Sequence, residues 1–273
     1  AIPVAAPAGV VDTCGTGGDG LKTFNISTAA ALVAAGAGAV VAKHGNRAAT
    51  SACGSSDVLA ALGVPLDAPK GAVERAFLEA GCAFLYAPRH HPALARVAPL
   101  RRALGVRTIF NLLGPLANPA GARRQVVGVA SARHLEPMAG ALARLGVERA
   151  LVVHGSDGLD ELTVAGDSEA IEVSSGVLRR IAIHPSAAGL ATSPTASLRG
   201  GGPAENAAAL RRLLDGEKSA YRDVVILNAA ACLMVAGIAD SLGDGAERAR
   251  RSIDDGRARR ALEALVAIMS AAS

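Results

Sequence analysis

Val11-Asp12-Thr13-Cys14-Gly15-Thr16-Gly17-Gly18-Asp19-Gly20, followed by Thr23-Phe24-Asn25-Ile26-Ser27-Thr28, is the stretch that decides how this chain reads. A short β-branched run enters a loop with glycine at positions 15, 17, 18 and 20, and an Ala/Leu helical pattern starts soon after. Glycine lets backbone approach an anion closely and turn successive N–H groups inward. Ser27 and Thr28 stand where a helix N-terminus offers free donors and partial positive charge. Phosphate is the natural ligand of such a loop, and a plain glycine turn with Ser27 as N-cap is the bland alternative.

Two familiar phosphate loops do not fit. Gly15, Gly17 and Gly20 satisfy GxGxxG, but no Asp or Glu occurs between Asp19 and Asp57, so the ribose-binding acid of the dinucleotide fold is missing. A Walker loop needs Gly-Lys-Ser/Thr, whereas Leu21 separates Gly20 from Lys22.

Outward from this loop, β-branched runs alternate with helical patterns from Val10 to about Ile183, which predicts βαβ units and a mostly parallel sheet flanked by helices. Strands are expected at Val10 to Asp12, Ala39 to Lys43, Cys82 to Tyr86, Gln125 to Val129 and Leu151 to His154. Helices are expected at Ser27 to Ala35, Ser55 to Leu62, Lys70 to Ala80, Pro92 to Leu104 and His134 to Leu145. Leu159 to Ile183 reads as a strand-rich excursion. The remainder is helical: Pro203 to Leu214, Tyr221 to Leu242, Ala246 to Asp255 and Arg257 to Met269. Lys43-His44-Gly45-Asn46-Arg47 ends the second strand, where ligands of open α/β sheets bind. Lys43 there suits a point charge for phosphate, and Asn46 can donate and accept toward a second substrate.

The chain has 273 residues, 51% hydrophobic and 19% charged, which excludes disorder as its main state. With 2 Tyr, 4 Phe and no Trp, the core must be built from Ala, Val, Leu and Ile. The net charge of +4 is carried mostly by arginine, scattered in doublets such as Arg123-Arg124 and Arg250-Arg251. That fits anionic small ligands and argues against a nucleic-acid face. Cys14, Cys53, Cys82 and Cys232 form no CxxC pair, so neither a metal knuckle nor a disulfide framework is expected, and a reducing cytoplasm is the default. The uncharged runs Thr23 to Ala42 and Val224 to Ala239 read as buried core and not as membrane spans. The opening Ala1-Ile2-Pro3-Val4 has neither an initiator Met nor a charged leader, as expected of a fragment or processed chain.

Gly15-Thr16-Gly17-Gly18-Asp19, Thr23-Phe24-Asn25-Ile26-Ser27-Thr28 and Lys43-His44-Gly45-Asn46-Arg47, in this order, resemble the anthranilate phosphoribosyltransferase family. Gly81 to Pro88, His91-Pro92-Ala93, Val97 to Arg102, Arg107 to Leu116, Val153-His154-Gly155, Gly158 to Leu162 and Ala204-Glu205-Asn206 agree, so the likeness spans nearly the whole chain. It implies transfer of the phosphoribosyl group of phosphoribosyl pyrophosphate (PRPP) to anthranilate, in tryptophan biosynthesis. It further implies that Gly15, Gly18, Asp19, Thr23, Asn25, Ile26, Ser27, Thr28, Lys43 and Ser55 hold PRPP. By the same resemblance Gly15, His44, Asn46 and Arg101 contact anthranilate, while Ser27, Asp160 and Glu161 bind Mg²⁺. No discrete acid or base is required.

The resemblance also implies a helical domain ahead of Ala1, packing with 91–120 beside the α/β domain of 1–90 and 121–273, and a homodimer when full length. Two rivals stay open: a pyrimidine nucleoside phosphorylase, which would not need the Asp160-Glu161 pair, and a non-catalytic nucleic-acid-binding relative.

Overall fold

The computed structural model describes residues 1–47, 52–92 and 109–272. Seven strands form one sheet among them: β1 (Val11–Gly15), β2 (Val41–Gly45), β3 (Cys82–Tyr86), β4 (Arg124–Gly128), β5 (Arg149–Gly155), β6 (Ser168–Ser174) and β7 (Val177–Ile183), in the order β3-β2-β1-β4-β5-β6-β7. β1 to β5 are mutually parallel; β6 pairs antiparallel with β5, and β7 pairs antiparallel with β6. The expected parallel α/β sheet is therefore present. The excursion after Leu159 contains the β6–β7 hairpin, turned at Ser175 and Gly176, both with positive φ.

Helices α1 (Ile26–Gly36), α2 (Ser55–Ala61), α3 (Lys70–Glu79), α4 (Leu135–Arg144), α5 (Pro203–Leu214), α6 (Ala220–Ala236), α7 (Leu242–Asp254) and α8 (Arg257–Ser270) surround the sheet. α1 packs on α6, α7 and α8 over one face, while α4 covers β5 and β6 on the other. Strand alternation feeds two separate cores: Leu151 and Val153 enter the larger one with α1 and α6, and Ala150 and Val152 enter the smaller one with α4. Both uncharged runs are buried core, and no helix among the described residues is long and apolar enough to cross a membrane.

Several boundaries differ from expectation. The helix expected over Tyr221 to Leu242 ends at Ala236, because Gly237 adopts φ +77°, and the helix expected from Ala246 starts earlier, at Leu242, where Ser241 caps α7 by accepting from the Asp244 N–H at 3.2 Å. β1 continues past Asp12 to Gly15, because Gly15 pairs with Gly128 of β4. The helix expected over Pro92 to Leu104 lies mainly outside the described residues. Downstream of it, Leu112 and Leu116 pack against the smaller core, and the Pro119 carbonyl accepts from the Val4 N–H at 3.0 Å.

From β1 the chain proceeds to β2 and β3 on one side and only then returns to β4 on the other. The carboxyl ends of β1 and β4 thus flank the switch point of the sheet, where open α/β folds bind ligands.

Candidate active site

The glycine loop leaves β1 at that switch point. Gly17, Gly18 and Gly20 have φ of +72°, +81° and +78°, so three of the four loop glycines occupy a region that side-chain-bearing residues rarely adopt. The loop is tethered by the Thr16 N–H, which donates to the Gly128 carbonyl at 2.9 Å, and by the Leu21 N–H, which donates to Asp19 Oδ1 at 3.2 Å.

Asp160 and Glu161 arrive from far along the sequence. The turn after β5 folds back across the ends of β1 and β4, so closely that a Cβ on Gly128 would lie 1.7 Å from the Asp160 carbonyl oxygen. A Cβ on Gly15 would lie 2.3 Å from Asp160 Oδ2, and the Gly17 N–H donates to that oxygen at 2.5 Å. Asp160 and Glu161 are both buried, and Glu161 Oε2 has no hydrogen-bond partner. Burial, with Glu161 and Asp19 close by, drives the Asp160 carboxyl well above the usual carboxylate range. Burial likewise pushes Glu161 up to about 7, against the opposing pull of Lys43 and of hydrogen bonds from Ser27. Asp19, Ser27, Lys43, Asp160 and Glu161 therefore form one cluster.

Lys43 sits beneath the loop and does not project from its mouth. The β1–β2 register pairs Val11 with Val41, which places Lys43 beside Thr13, and its buried Nζ donates to the Thr13 carbonyl at 2.7 Å. Asp12, which the sequence reading passed over, is fully buried one residue away. It accepts from Asn118 Nδ2 at 2.8 Å and from the His44 N–H at 3.3 Å, and burial raises its pKa despite Lys43. A charged residue inside the apolar run Val10-Val11-Asp12 was the available signal.

Asn25 is the N-cap residue of α1, yet its side chain caps nothing. Its Nδ2 instead donates to the Cys53 carbonyl at 3.1 Å, and its Oδ1 accepts from Asn206 Nδ2 at 3.0 Å, which joins the loop before α2 and the start of α5 to the same site. Ser27 falls within the first turn of α1 and is not its cap. Ile26 and Thr28 are buried, and the Ile26 N–H is bonded to the Phe24 carbonyl at 2.9 Å. Thr23 bridges to Arg199, and Phe24 stacks on Tyr221 with ring centroids 4.5 Å apart. Ser55 Oγ donates to the Asn46 carbonyl at 3.3 Å, bringing these two residues together at the end of β2. Arg101 lies outside the described residues.

His44 is buried with His91. His44 Nδ1 faces the Gly114 carbonyl at 3.3 Å and must be the protonated nitrogen there, since a carbonyl only accepts. His91 Nε2 then donates to His44 Nε2 across 3.2 Å. Burial, reinforced by His91, lowers His44 to about 3. The folded chain thus holds His44 neutral while the unfolded chain protonates it below about pH 6.5, so stability contributed here is lost as pH falls. The His44 share of the pH dependence between about pH 7 and 5 is about 2 kcal/mol, and it should appear as the difference between the urea melts of the wild type and of His44→Gln over that range. Equal pH slopes in the two proteins would refute this account.

Oxygen donors from two strand ends, a turn and a helix start, grouped over a glycine cradle, suit a hard divalent cation and a phosphorylated ligand. Among the described residues no three His, Cys, Asp or Glu side chains converge to hold an ion by themselves. Two carboxylates completed by ligand oxygens and water is the arrangement Mg²⁺ favours, and the unpartnered Glu161 Oε2 and the space left by Gly15 fit it. Burial holds the Cys14 thiol well above its usual pKa and the Cys53 thiol at about 11, so neither is a ready nucleophile.

These features define a glycosyl transferase: residues 8–259 match the family described as "Glycosyl transferase family, a/b domain". The chain is 57% identical to an anthranilate phosphoribosyltransferase of Maricaulis maris, covering 97% of this chain and 78% of that one, and 56% identical to one of Rhodospirillum rubrum, covering 98% and 77%. Its structure superposes on anthranilate phosphoribosyltransferase from Thermus thermophilus with a TM-score of 0.92 at 50% identity, over 98% of this chain and 80% of that chain. The Saccharomyces cerevisiae enzyme in complex with PRPP and Mg gives 0.90 at 30% identity, over 99% and 76%. The yeast enzyme with 4-fluoroanthranilate gives 0.88 at 29%, over 98% and 76%. The chain belongs to the anthranilate phosphoribosyltransferase family.

Proposed function

We infer that this chain transfers the 5-phosphoribosyl group of PRPP to the amino group of anthranilate, releasing pyrophosphate, in tryptophan biosynthesis. The observation that carries the reading is the convergence of the glycine loop, Ser27, Lys43 and the distant Asp160-Glu161 pair on the sheet's switch point. In the reaction the anomeric C–O bond breaks, the anthranilate nitrogen forms the new C–N bond, and the amine proton leaves to solvent. Positive charge grows on the sugar and negative charge on the departing diphosphate, so fixed charges and positioning supply the catalysis.

Gly15, Gly18, Asp19, Thr23, Asn25, Ser27, Thr28 and Ser55 are the proposed PRPP cradle. Backbone at Ile26 belongs to the same turn, and Lys43 acts from beneath by holding the Thr13 carbonyl and facing Glu161. Asp160, Glu161 and Ser27 would hold Mg²⁺, which when bound neutralises diphosphate charge. His44, Asn46, Gly15 and Arg101 are the proposed anthranilate contacts; the planar guanidinium of Arg101 suits a carboxylate. His44, held neutral, adds no second charge near that carboxylate.

The phosphorylase and nucleic-acid-binding alternatives gain no support from the relatives described above, which are named for the transferase. Loss of anthranilate fluorescence on adding PRPP, with and without Mg²⁺, tests the reading. Turnover of thymidine or uridine with inorganic phosphate, and none with PRPP, would replace it. The proposal includes a cytoplasmic location and a homodimer when full length; sedimentation tests the dimer.

A further inference from the structure

We propose that Asn228, far from the substrate loops in sequence and buried in α6, is a positioning residue that sets the Asp160-Glu161 pair by clamping the backbone of Leu162. The run Val224 to Ala236 is apolar except for Asn228, which is fully buried. Its amide is fully engaged: Oδ1 accepts from the Leu162 N–H at 3.0 Å, and Nδ2 donates to the Leu162 carbonyl at 2.9 Å and to the Val224 carbonyl at 2.9 Å. Leu162 immediately follows Glu161, so the side chain of a core helix substitutes for a neighbouring strand along a turn that has no sheet partner there.

A second anchor holds the other flank. Asp157 Oδ2 accepts from Thr163 Oγ1 at 2.9 Å and Thr195 Oγ1 at 2.5 Å, and Asp157 Oδ1 accepts from the Leu159 N–H at 3.3 Å. The two carboxylates needed for the cation are thus carried on a short turn pinned on both sides, with the Asp160 backbone pressed onto Gly128. Groups behind a metal ligand are worth about 10- to 100-fold in affinity, and here the lever acts through backbone.

The inference rests on the reading of Asp160 and Glu161 as the cation-holding pair. The test is calorimetric binding of PRPP across a Mg²⁺ titration, which needs no turnover. Asn228→Leu keeps the branching at Cγ and the number of heavy atoms and removes the amide; the Mg²⁺ concentration giving half-maximal PRPP binding should rise about 10-fold or more, with metal-free PRPP binding unchanged. Ser252→Ala serves as control, because it removes an equally buried bond to the Val33 carbonyl (2.8 Å) remote from the site; it should lower the melting temperature and leave the Mg²⁺ dependence alone. A folded Asn228→Leu protein with wild-type Mg²⁺ dependence overturns the clamp. Should that variant not fold, the smaller Asn228→Ala decides by the same readout, with a shift of about threefold or more expected from loss of the bonds to Leu162 and no shift overturning the proposal. Asp160→Asn/Glu161→Gln is the reference: if it fails to move the Mg²⁺ dependence, the cation-site reading itself falls, and the clamp with it.

Discussion

Asp160→Asn combined with Glu161→Gln is expected to make the ligand-free protein more stable at neutral pH while nearly abolishing Mg²⁺-dependent transfer. The stability gain follows from the direction of both shifts. Folding raises Asp160 well above its ordinary value and Glu161 from 4.5 to about 7. The folded state therefore binds more protons than the unfolded state between about pH 4.5 and 7, and stability falls as pH rises through that window. Above it, the folded protein carries a buried Glu161 carboxylate beside Asp160, a cost that Lys43 and the Ser27 hydrogen bonds offset only in part. Neutral amides of the same shape remove that cost, so denaturant melts near pH 8 should gain about 1–3 kcal/mol, with the gain vanishing toward pH 4.5.

Transfer should move the other way. A metal stabilises developing charge by several kcal/mol, which at about 1.4 kcal/mol per tenfold is a loss on the order of a thousandfold. An unstabilised variant that still uses Mg²⁺ normally would refute both halves at once. Since His44 has the opposite pH sign, the carboxylate pair and the histidine must be compared through their variants, not through the wild-type curve alone.

Gly128→Ala should be the most damaging single methyl in the chain. The added carbon would lie 1.7 Å from the Asp160 carbonyl oxygen, 2.4 Å from its carbon and 3.0 Å from the Glu161 nitrogen, all backbone atoms. β4 cannot yield, because Gly128 pairs with Gly15 on one side and Val153 on the other. The turn must lift instead, carrying both carboxylates off the glycine loop and breaking the 2.5 Å contact between Asp160 and the Gly17 N–H. Misplacement of about 1 Å in a positioned site costs on the order of a hundredfold in rate, and a comparable loss is expected here with a lowered melting temperature. Gly140→Ala on α4 is the control: apart from the helix's own backbone, the nearest atom is the flexible end of the Arg144 side chain at 3.5 Å, and helical Gly to Ala should stabilise by about 0.5–1 kcal/mol. If Gly128→Ala crystallises with the turn in place and full activity, the close approach has no role.

Local chemistry explains what could be read in advance. β3 and α5 fall at the expected residues because Cys82 to Tyr86 is an uninterrupted apolar run, and Pro203 and Gly216 bracket a clear helical period. The glycine loop was legible because its turns demand glycine, whatever surrounds them. Boundaries slipped where pairing partners decide, as at Gly15, whose strand character depends on Gly128 more than a hundred residues later.

By itself, then, the amino-acid order determined the parallel α/β scheme, the glycine loop and the family, because these rest on periodicity, on glycine's conformational reach and on short motifs. Only the tertiary structure decided that Lys43 lies under the loop, that Asp12 is sealed behind it, that His91 pairs with His44, and that an asparagine in a core helix holds the turn bearing the acidic pair. Those are contacts between residues some 45 to 110 positions apart, or Nζ and carboxyl groups whose direction depends on strand register, and no local pattern encodes either.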